Sequence, residues 1–279
     1  MNKHLFFLLM LSAFALLPSC SDTGSNIAPE ADFPPEASYS VLENTVTSVA
    51  QSERVADFNN LPQERANIKF PDEFQQELNA CFRVEIHTPY IGNEQIDEQI
   101  RSLAKILRAE AVKKFTTACA ADKISVKDIA DNPPYALDIN YETSATFGEV
   151  ISVLFLPSIY TGGAHPLTDI VPMNFKTQNG QRLEYNDLFG DTAGLLEFLS
   201  AHAYTAFRPS LHEFWDSDPT LAEGLDAKAD NLSSFILNPQ GLVLVFPPYQ
   251  IAPYSEGVQS CLVPLDKLLR FKPKPGIWN

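Results

Sequence analysis

The chain has 279 residues, a formal net charge of −15 and a hydrophobic content of 45%. This length suits one large domain, or one domain with a linker, and provides enough apolar material for a core. A chain this acidic would repel phosphate groups, so the composition argues against nucleic acid as a binding partner. The negative charge is compatible with a cationic partner, or with a role in solubility alone.

The first twenty residues have the pattern of an export signal. A short basic start, Met1–His4, precedes an apolar run at residues 5–17, which is shorter than the roughly 20 residues that cross a bilayer. Pro18-Ser19-Cys20 follows, and this ending resembles the lipobox of bacterial lipoproteins. The resemblance implies removal of residues 1–19 as a signal peptide and acylation of Cys20, palmitate being one such chain. The alternative is an ordinary signal peptide with an incidental cysteine.

Residues 20–72 are predicted to form a lipidated, mostly disordered tether. Proline, serine, alanine and glutamate are frequent there, and little of the segment has a helical or strand period,. The tether would let a folded body at residues 73–279 stand off the membrane. We expect this body to face the periplasm of a two-membrane bacterium, anchored in the outer membrane through the lipid on Cys20.

Three further cysteines follow, Cys81, Cys119 and Cys261. A strand leaving Cys81 and a helix returning to Cys119 would end near each other. A disulfide between them would close a loop of about 39 residues and stabilise the fold by roughly 4 kcal/mol in the chain-entropy model. Two buried free thiols are the alternative. No Cys-x-x-Cys pair occurs, so the cysteines give no support for a zinc or redox site.

The first clear strand and helix patterns follow Asp72. Residues 82–87 alternate apolar and polar side chains, as in a half-buried strand. Asn93 is placed to cap a helix. Apolar residues then recur at three- and four-residue intervals along one helix face: Ile96, Ile100, Leu103, Leu107, Ala111 and Phe115.

A hairpin follows this helix. Residues 135–147 and 150–157 are predicted to pair across Gly148-Glu149,. A strand over residues 168–176 then leads to the turn dipeptide Asn179-Gly180, whose residue types suit positive φ angles,.

The second half contains a second helix and a group of short strands. Asp191 or Thr192 is predicted to cap a helix with an apolar face, and residues 208–230 form either a short helix or a lid. The remaining predicted elements are strands at 234–237, 241–246 and 260–263 and a short helix at 266–269. Together these elements predict a single α+β domain in which an antiparallel sheet packs with two main helices.

Several segments, in order, resemble one family. They are Tyr160-Thr161-Gly162-Gly163-Ala164-His165-Pro166, Asn174-Phe175, Gly180, Asp187-Leu188-Phe189 and the run from Phe246 to Gly257, preceded by Asn93-Glu94-Gln95-Ile96. They resemble the extracytoplasmic domain of unknown function in RsiV-type, lysozyme-binding anti-sigma factors, which also precedes the catalytic domain of some peptidoglycan deacetylases. The resemblance covers about residues 82–272.

The resemblance implies a cell-envelope binding domain whose ligand is lysozyme or related to peptidoglycan. Only four residues precede the apolar run, so we do not expect an anti-sigma factor of that design. We also expect no deacetylase domain, because the resemblance leaves too few residues for one.

His165 is the best single candidate for chemistry. It follows Gly162-Gly163, whose backbone permits close approach of a ligand, and Asp169 lies nearby,. An imidazole–carboxylate pair could perform general acid–base work on a cell-wall substrate. The competing interpretation is that His165 bonds a loop carbonyl and fixes the turn, and we favour it because no nucleophile stands out.

Other chemical motifs are weak or missing. His212-Glu213-Phe214-Trp215-Asp216 starts like a helical zinc motif, but Asp216 stands where the second histidine would be,. The spacing between His202 and His212 does not suit two metal ligands on one helix face. Neither a phosphate-binding loop nor a Gly-x-Ser-x-Gly turn occurs, and we expect no metal and no cofactor.

Tyr249 and Tyr254 lie in an aromatic and proline-rich run after Phe246. They are predicted either to form an exposed rim that binds sugar or protein, or to belong to an irregular edge strand kept short by prolines. Phe246 and Ile251 are predicted to lie in the core.

Three hypotheses follow. The leading one is a lipid-anchored, non-catalytic envelope protein that binds a protein such as lysozyme, or a peptidoglycan fragment, through Gly162, Gly163, His165, Tyr249 and Tyr254. The alternatives are a hydrolase-like enzyme that uses His165 and Asp169, and a structural envelope lipoprotein.

Overall fold

The computed structural model describes residues 70–125, 127, 132–143 and 147–278. The predicted signal peptide at 1–19, the lipidation site Cys20 and all but the last three residues of the predicted tether at 20–72 lie outside the described residues. Of the helices in the described ranges, none has the length and apolar character needed to cross a membrane.

A strand–helix–strand unit opens the described chain. Its elements are β1 (Asp72–Leu78), β2 (Phe82–Pro89), α1 (Glu94–Ala121) and β3 (Tyr135–Thr143). The Asn93 side chain accepts hydrogen bonds from the backbone N–H groups of Gln95 and Ile96, which confirms the predicted cap of α1. Ile96, Ile100, Ala111 and Phe115 of the predicted apolar stripe are buried.

The remaining strands and helices follow in chain order. They are β4 (Val150–Tyr160), β5 (Leu167–Thr168), β6 (Val171–Lys176), α2 (Tyr185–Leu188), α3 (Leu195–Ser217), α4 (Pro219–Glu223), α5 (Ala229–Leu232), β7 (Phe235–Asn238), β8 (Gly241–Phe246), β9 (Gln259–Pro264) and α6 (Leu265–Leu268), with 3-10 turns at Tyr254–Glu256 and Leu269–Phe271. The predicted strand at 168–176 is therefore two strands, β5 and β6.

The strands form two sheets. The first has the order β1-β2-β3-β4-β5, with β6 also pairing with β4, and the second has the order β7-β8-β9. The predicted α+β class and the β3–β4 hairpin are confirmed. The sheet is not wholly antiparallel, however, because β2 and β3 are parallel. The reason is α1, which carries the chain back along the sheet so that the next strand starts from the same end.

The two sheets pack against each other, and each also packs against one long helix. One core cluster joins α1 to the first sheet, and another joins α3 to the second sheet. Leu154 on β4 and Ile170, which lies just before β6, pack against Val243 and Val245 of the second sheet. β8 is buried on both faces, which explains its continuous apolar sequence.

The structure joins Cys81 to Cys119 by a disulfide, with a Cα–Cα distance of 5.9 Å. Cys119 lies near the end of α1 and Cys81 just before β2, so the bond fixes the helix to the strand beside it. This is the pairing that the sequence left open against two free thiols. Cys261 is free, and burial raises the pKa of its thiol to about 12, so it is a poor nucleophile.

α3 differs from its prediction at both ends. Asp191 and Thr192 do not cap it, because the cap is Gly194, with a φ of 69° that suits glycine,. The helix also continues through Pro209 to Ser217, whereas residues 208–230 had no clear assignment. Leu211 and Trp215 extend its buried stripe, and their burial offsets the roughly 3 kcal/mol that an interior proline costs.

Candidate functional site

The loop between β4 and β5 is open to solvent. Residues 161–164 are exposed, and Gly162 has a φ of 90°. A Cβ at Gly162 would meet no atom within 4 Å, and one at Gly163 would meet only the His165 carbonyl at 3.9 Å. The two glycines therefore leave space above the loop for a ligand.

His165 makes two hydrogen bonds that define its tautomer. Its Nδ1 lies 2.9 Å from the Pro166 carbonyl oxygen, which can only accept, so Nδ1 carries the proton and donates. Nε2 is then the acceptor in the neutral ring, and it lies 3.1 Å from the Tyr249 hydroxyl, which donates to it. The bond to Pro166 is the turn-fixing contact that the sequence analysis favoured for His165.

The rings of His165, Tyr249 and Tyr254 form one group, which we name the aromatic cluster. His165 stacks on Tyr254 with ring centroids 3.6 Å apart and an interplanar angle of 15°. The centroids of Tyr249 and Tyr254 are 5.8 Å apart, and Tyr249 is 52% exposed. Two separate candidate surfaces were predicted from the sequence, and the fold brings them together as one.

The run after Phe246 is a loop. β8, the middle strand of its sheet, ends at Phe246, so the interpretation of this run as an irregular edge strand is wrong. The loop is closed by hydrogen bonds from the Tyr249 N–H to the Ala252 carbonyl and from the Gln250 N–H to the Pro247 carbonyl. Phe246 and Ile251 are 0% exposed, as predicted for core residues.

Hydrogen bonds to distant segments hold this loop. Trp215 Nε1 donates to the Ile251 carbonyl at 2.8 Å. Gln250 Nε2 donates to the carbonyls of Gly224 and Asn231 at 3.0 and 2.9 Å. A Cβ at Gly224 would lie 2.0 Å from the Gln250 carbonyl oxygen, so only glycine permits this contact.

These anchoring residues were not predicted from the sequence. Trp215 was not identified as part of α3 because residues 208–230 were predicted only as a short helix or a lid, although Trp215 lies four positions after Leu211 on the same apolar stripe. Gln250 was within the motif after Phe246, but nothing local indicated its partners.

Tyr249 has an unusual backbone. Its φ is 69°, in the left-handed region that favours glycine,. The anchors on Gln250 and Ile251 hold the loop immediately after this strained residue. The ring of Tyr249 is therefore held in place by the backbone before any ligand arrives.

Asp169 does not join His165. No hydrogen bond or ion pair connects the two among the described residues; instead the Asp169 carboxylate accepts the Ile170 N–H at 2.8 Å. Burial raises the pKa of Asp169 to about 6, and the Ile170 hydrogen bond opposes this rise. Since both nitrogens of His165 are also engaged, the arrangement differs from the acid–base pair of the enzyme hypothesis.

Two other histidines, His202 and His212, lie on α3. His202 Nε2 is 2.9 Å from the Leu262 carbonyl, and His212 Nδ1 is 3.1 Å from the Arg208 carbonyl. In the described ranges, no group of three or more His, Cys, Asp or Glu side chains could hold a metal ion.

Family models match two consecutive parts of the chain. Residues 75–168 match the model described as "Deacetylase PdaC" and residues 186–266 match "Protein of unknown function (DUF3298)". The resemblance to a domain of unknown function found beside peptidoglycan deacetylase domains is thereby confirmed. The aromatic cluster takes His165 from the first matched part and Tyr249 and Tyr254 from the second.

One curated relative and two crystal structures add to this. The chain is 24% identical over 185 residues to the peptidoglycan-N-acetylmuramic acid deacetylase PdaC of Bacillus subtilis, a match that covers 65% of this chain and 37% of that protein. A DUF3298 family protein of Pseudomonas aeruginosa PAO1 has a TM-score of 0.56 at 16% identity, over 75% of this chain and 95% of the other. A second, from Bacteroides fragilis, has a TM-score of 0.52 at 17% identity, over 77% and 96%. These structures show a shared fold.

Proposed function

We propose that the protein is a non-catalytic, lipid-anchored component of the cell envelope that binds a peptidoglycan-derived glycan at the aromatic cluster. The observation that carries this proposal is the group formed by His165, Tyr249 and Tyr254 beside the open Gly162-Gly163 loop. Tyrosine rings offer an apolar face and a polar hydroxyl, and a sugar ring has the matching combination of an apolar C–H face and hydroxyls at its edge.

Rigidity supports a binding role. The loop that carries Tyr249 is fixed by Trp215 and Gln250, so little conformational entropy remains to be lost when a ligand binds. Preorganisation of this kind raises affinity by lowering the cost of ordering the site.

The cell-envelope assignment rests on the relatives and the leader. A cell-wall role is implied by the name of the Bacillus deacetylase, which acts on peptidoglycan. The leader pattern at residues 1–19 and Cys20 supports export and lipid anchoring, and we place the anchor in the outer membrane with the domain facing the periplasm.

A cationic lysozyme is the second candidate ligand. The net charge of −15 favours it, since an acidic protein attracts a basic one and accelerates their encounter. The enzyme hypothesis has less support, because His165 contacts Tyr249 and Pro166 and not Asp169.

Titration calorimetry of the full chain with muramidase-released peptidoglycan fragments tests the proposal. Tyr249→Gly and Tyr254→Ala should each weaken binding by about tenfold, as expected for loss of a central aromatic contact. Tyr90→Ala is the matched control, since Tyr90 is 44% exposed and belongs to neither loop. Equal affinities for the parent and both cluster variants would contradict a glycan site here.

The same titration with a c-type lysozyme at low and high salt distinguishes the second candidate. Binding that weakens as salt rises would support the charge-driven encounter. If lysozyme binds and its affinity is unchanged by Tyr249→Gly, the protein partner uses another surface. Absence of lysozyme binding at low salt would exclude lysozyme as a ligand. The glycan proposal would then be judged by the titration with peptidoglycan fragments alone.

A further inference from the structure

A groove lies between α3 and the turn that follows α4. It is open and has a volume of about 580 Å³. Ala201, Tyr204 and Leu225 provide apolar lining, and Leu225 is buried while Tyr204 is 39% exposed. The lining shares no residue with the aromatic cluster.

Carboxylates also line this groove. They belong to Glu197, Glu223 and Asp226. Asp226 is bound to Lys228 at 2.8 Å, whereas no ion pair within the described ranges involves Glu197 or Glu223. Both of these are exposed, so their charge acts where a partner would approach.

Tyr204 already contacts a cationic group of its own chain. The Arg208 guanidinium lies 5.8 Å from the Tyr204 ring centroid and donates to the Tyr204 hydroxyl at 2.9 Å. The Tyr204 ring also stacks with Trp215, with ring centroids 5.1 Å apart. Neither Arg208 nor Lys228 lines the groove, so the cationic side chains nearby leave its interior unfilled.

We propose that this groove is a docking site for an amphipathic basic segment of a partner protein. An apolar side chain of the partner packs against Tyr204 and Leu225, and lysine or arginine side chains on either side of it reach Glu197 and Glu223. Charge complementarity selects this occupant, because the exposed carboxylates attract basic side chains, add nothing to the binding of a neutral apolar segment and repel an acidic one. The net charge of −15 attracts the same partner from a distance,.

The test uses the full chain and a short fluorescent peptide of alternating leucine and lysine, with binding followed by anisotropy at low salt. A peptide of alternating leucine and glutamate is the charge control. The parent should bind the lysine peptide and not the glutamate peptide. Absence of binding to the lysine peptide, or equal binding of the two peptides, would overturn the proposal.

Two sets of variants locate the peptide. Glu197→Gln with Glu223→Gln should weaken binding by about fivefold, a loss in the range of two exposed ion pairs. Glu213→Gln with Asp216→Asn removes the same charge from exposed positions of α3 outside the groove, and should change affinity by less than about twofold. Equal losses in the two double variants would show a general charge effect and overturn the site.

A steric variant tests the apolar part without a change of charge. Ala201 is exposed in the groove, so Ala201→Trp fills the space and leaves the core of α3 intact. It should weaken peptide binding by about tenfold or more, as expected when the central contact of an interface is blocked. Unchanged affinity in Ala201→Trp would place the peptide elsewhere and overturn the proposal.

Discussion

A buried polar bridge joins the two sheets, and its removal tests how they pack. Ser152 on β4 and Asn174 on β6 are 0% and 3% exposed. The Ser152 hydroxyl donates to Asn174 Oδ1 at 2.6 Å and accepts the Leu237 N–H at 2.9 Å. Asn174 Nδ2 donates to the Phe235 carbonyl at 3.0 Å. The bridge thus satisfies two backbone groups on the side of β7 that has no neighbouring strand in its own sheet.

Ser152→Ala should lower the free energy of unfolding by about 3 kcal/mol. The change leaves the Leu237 N–H and the Asn174 side-chain oxygen without these partners, and each buried unsatisfied group costs roughly 1–3 kcal/mol. Asn174→Ala should cost a similar amount. Because the two residues share one network, the double variant should cost less than the sum of the single ones by about 1 kcal/mol.

Urea unfolding followed by tryptophan fluorescence measures these changes, with Trp215 and Trp278 as probes. Ser158→Ala is the matched control, since Ser158 lies on the same strand but is only partly buried, and it should change stability by no more than about 0.5 kcal/mol. A Ser152→Ala cost as small as that of the control, or strict additivity of Ser152→Ala and Asn174→Ala, would refute the inter-sheet bridge.

Two further changes test a buried carboxyl and the support of the aromatic cluster. Burial raises the pKa of Asp169 from 3.8 to about 6, so the folded state binds this proton more tightly and stability falls by about 3 kcal/mol as the pH rises from below 4 to above 6. Asp169→Asn should remove that loss, raising stability at pH 8 but not at pH 4; the same change at both pH values would show that the carboxyl does not titrate in this way. Gly224→Ala places a Cβ 2.0 Å from the Gln250 carbonyl oxygen and should lower the free energy of unfolding by about 1–3 kcal/mol, as measured by urea unfolding. It should also weaken glycan binding, as measured by calorimetry. An unchanged stability would show that the Gly224–Gln250 contact is not close.

Elements with strong local signals were predicted well from the sequence. The alternation at residues 82–87, the cap at Asn93 and the turn at Gly148 each depend on neighbouring residues, and the structure has a strand, a helix start and a hairpin there. β1 was missed because Asp72–Leu78 is mostly polar and lies at the sheet edge, with little alternation to detect.

Features that depend on distant contacts were not predictable in this way. The parallel pairing of β2 and β3 and the division into two sheets arise from packing across the whole domain, which a local period does not encode. The same holds for the site. Both loops were identified from their residues, but the hydrogen bond between His165 and Tyr249 joins positions 84 residues apart, and only the fold brings them together.

The backbone of Tyr249 connects the fold to the proposed function. A left-handed conformation costs a non-glycine residue of order 1 kcal/mol, and a ring that is 52% exposed recovers little of this through burial. Glycine at this position would relieve the strain, so the tyrosine side chain is better explained by what it contacts outside the fold. Tyr249→Gly should therefore keep or raise stability while it weakens glycan binding. A fall in stability would show instead that the hydrogen bond to His165 holds the two loops together and that the ring is structural.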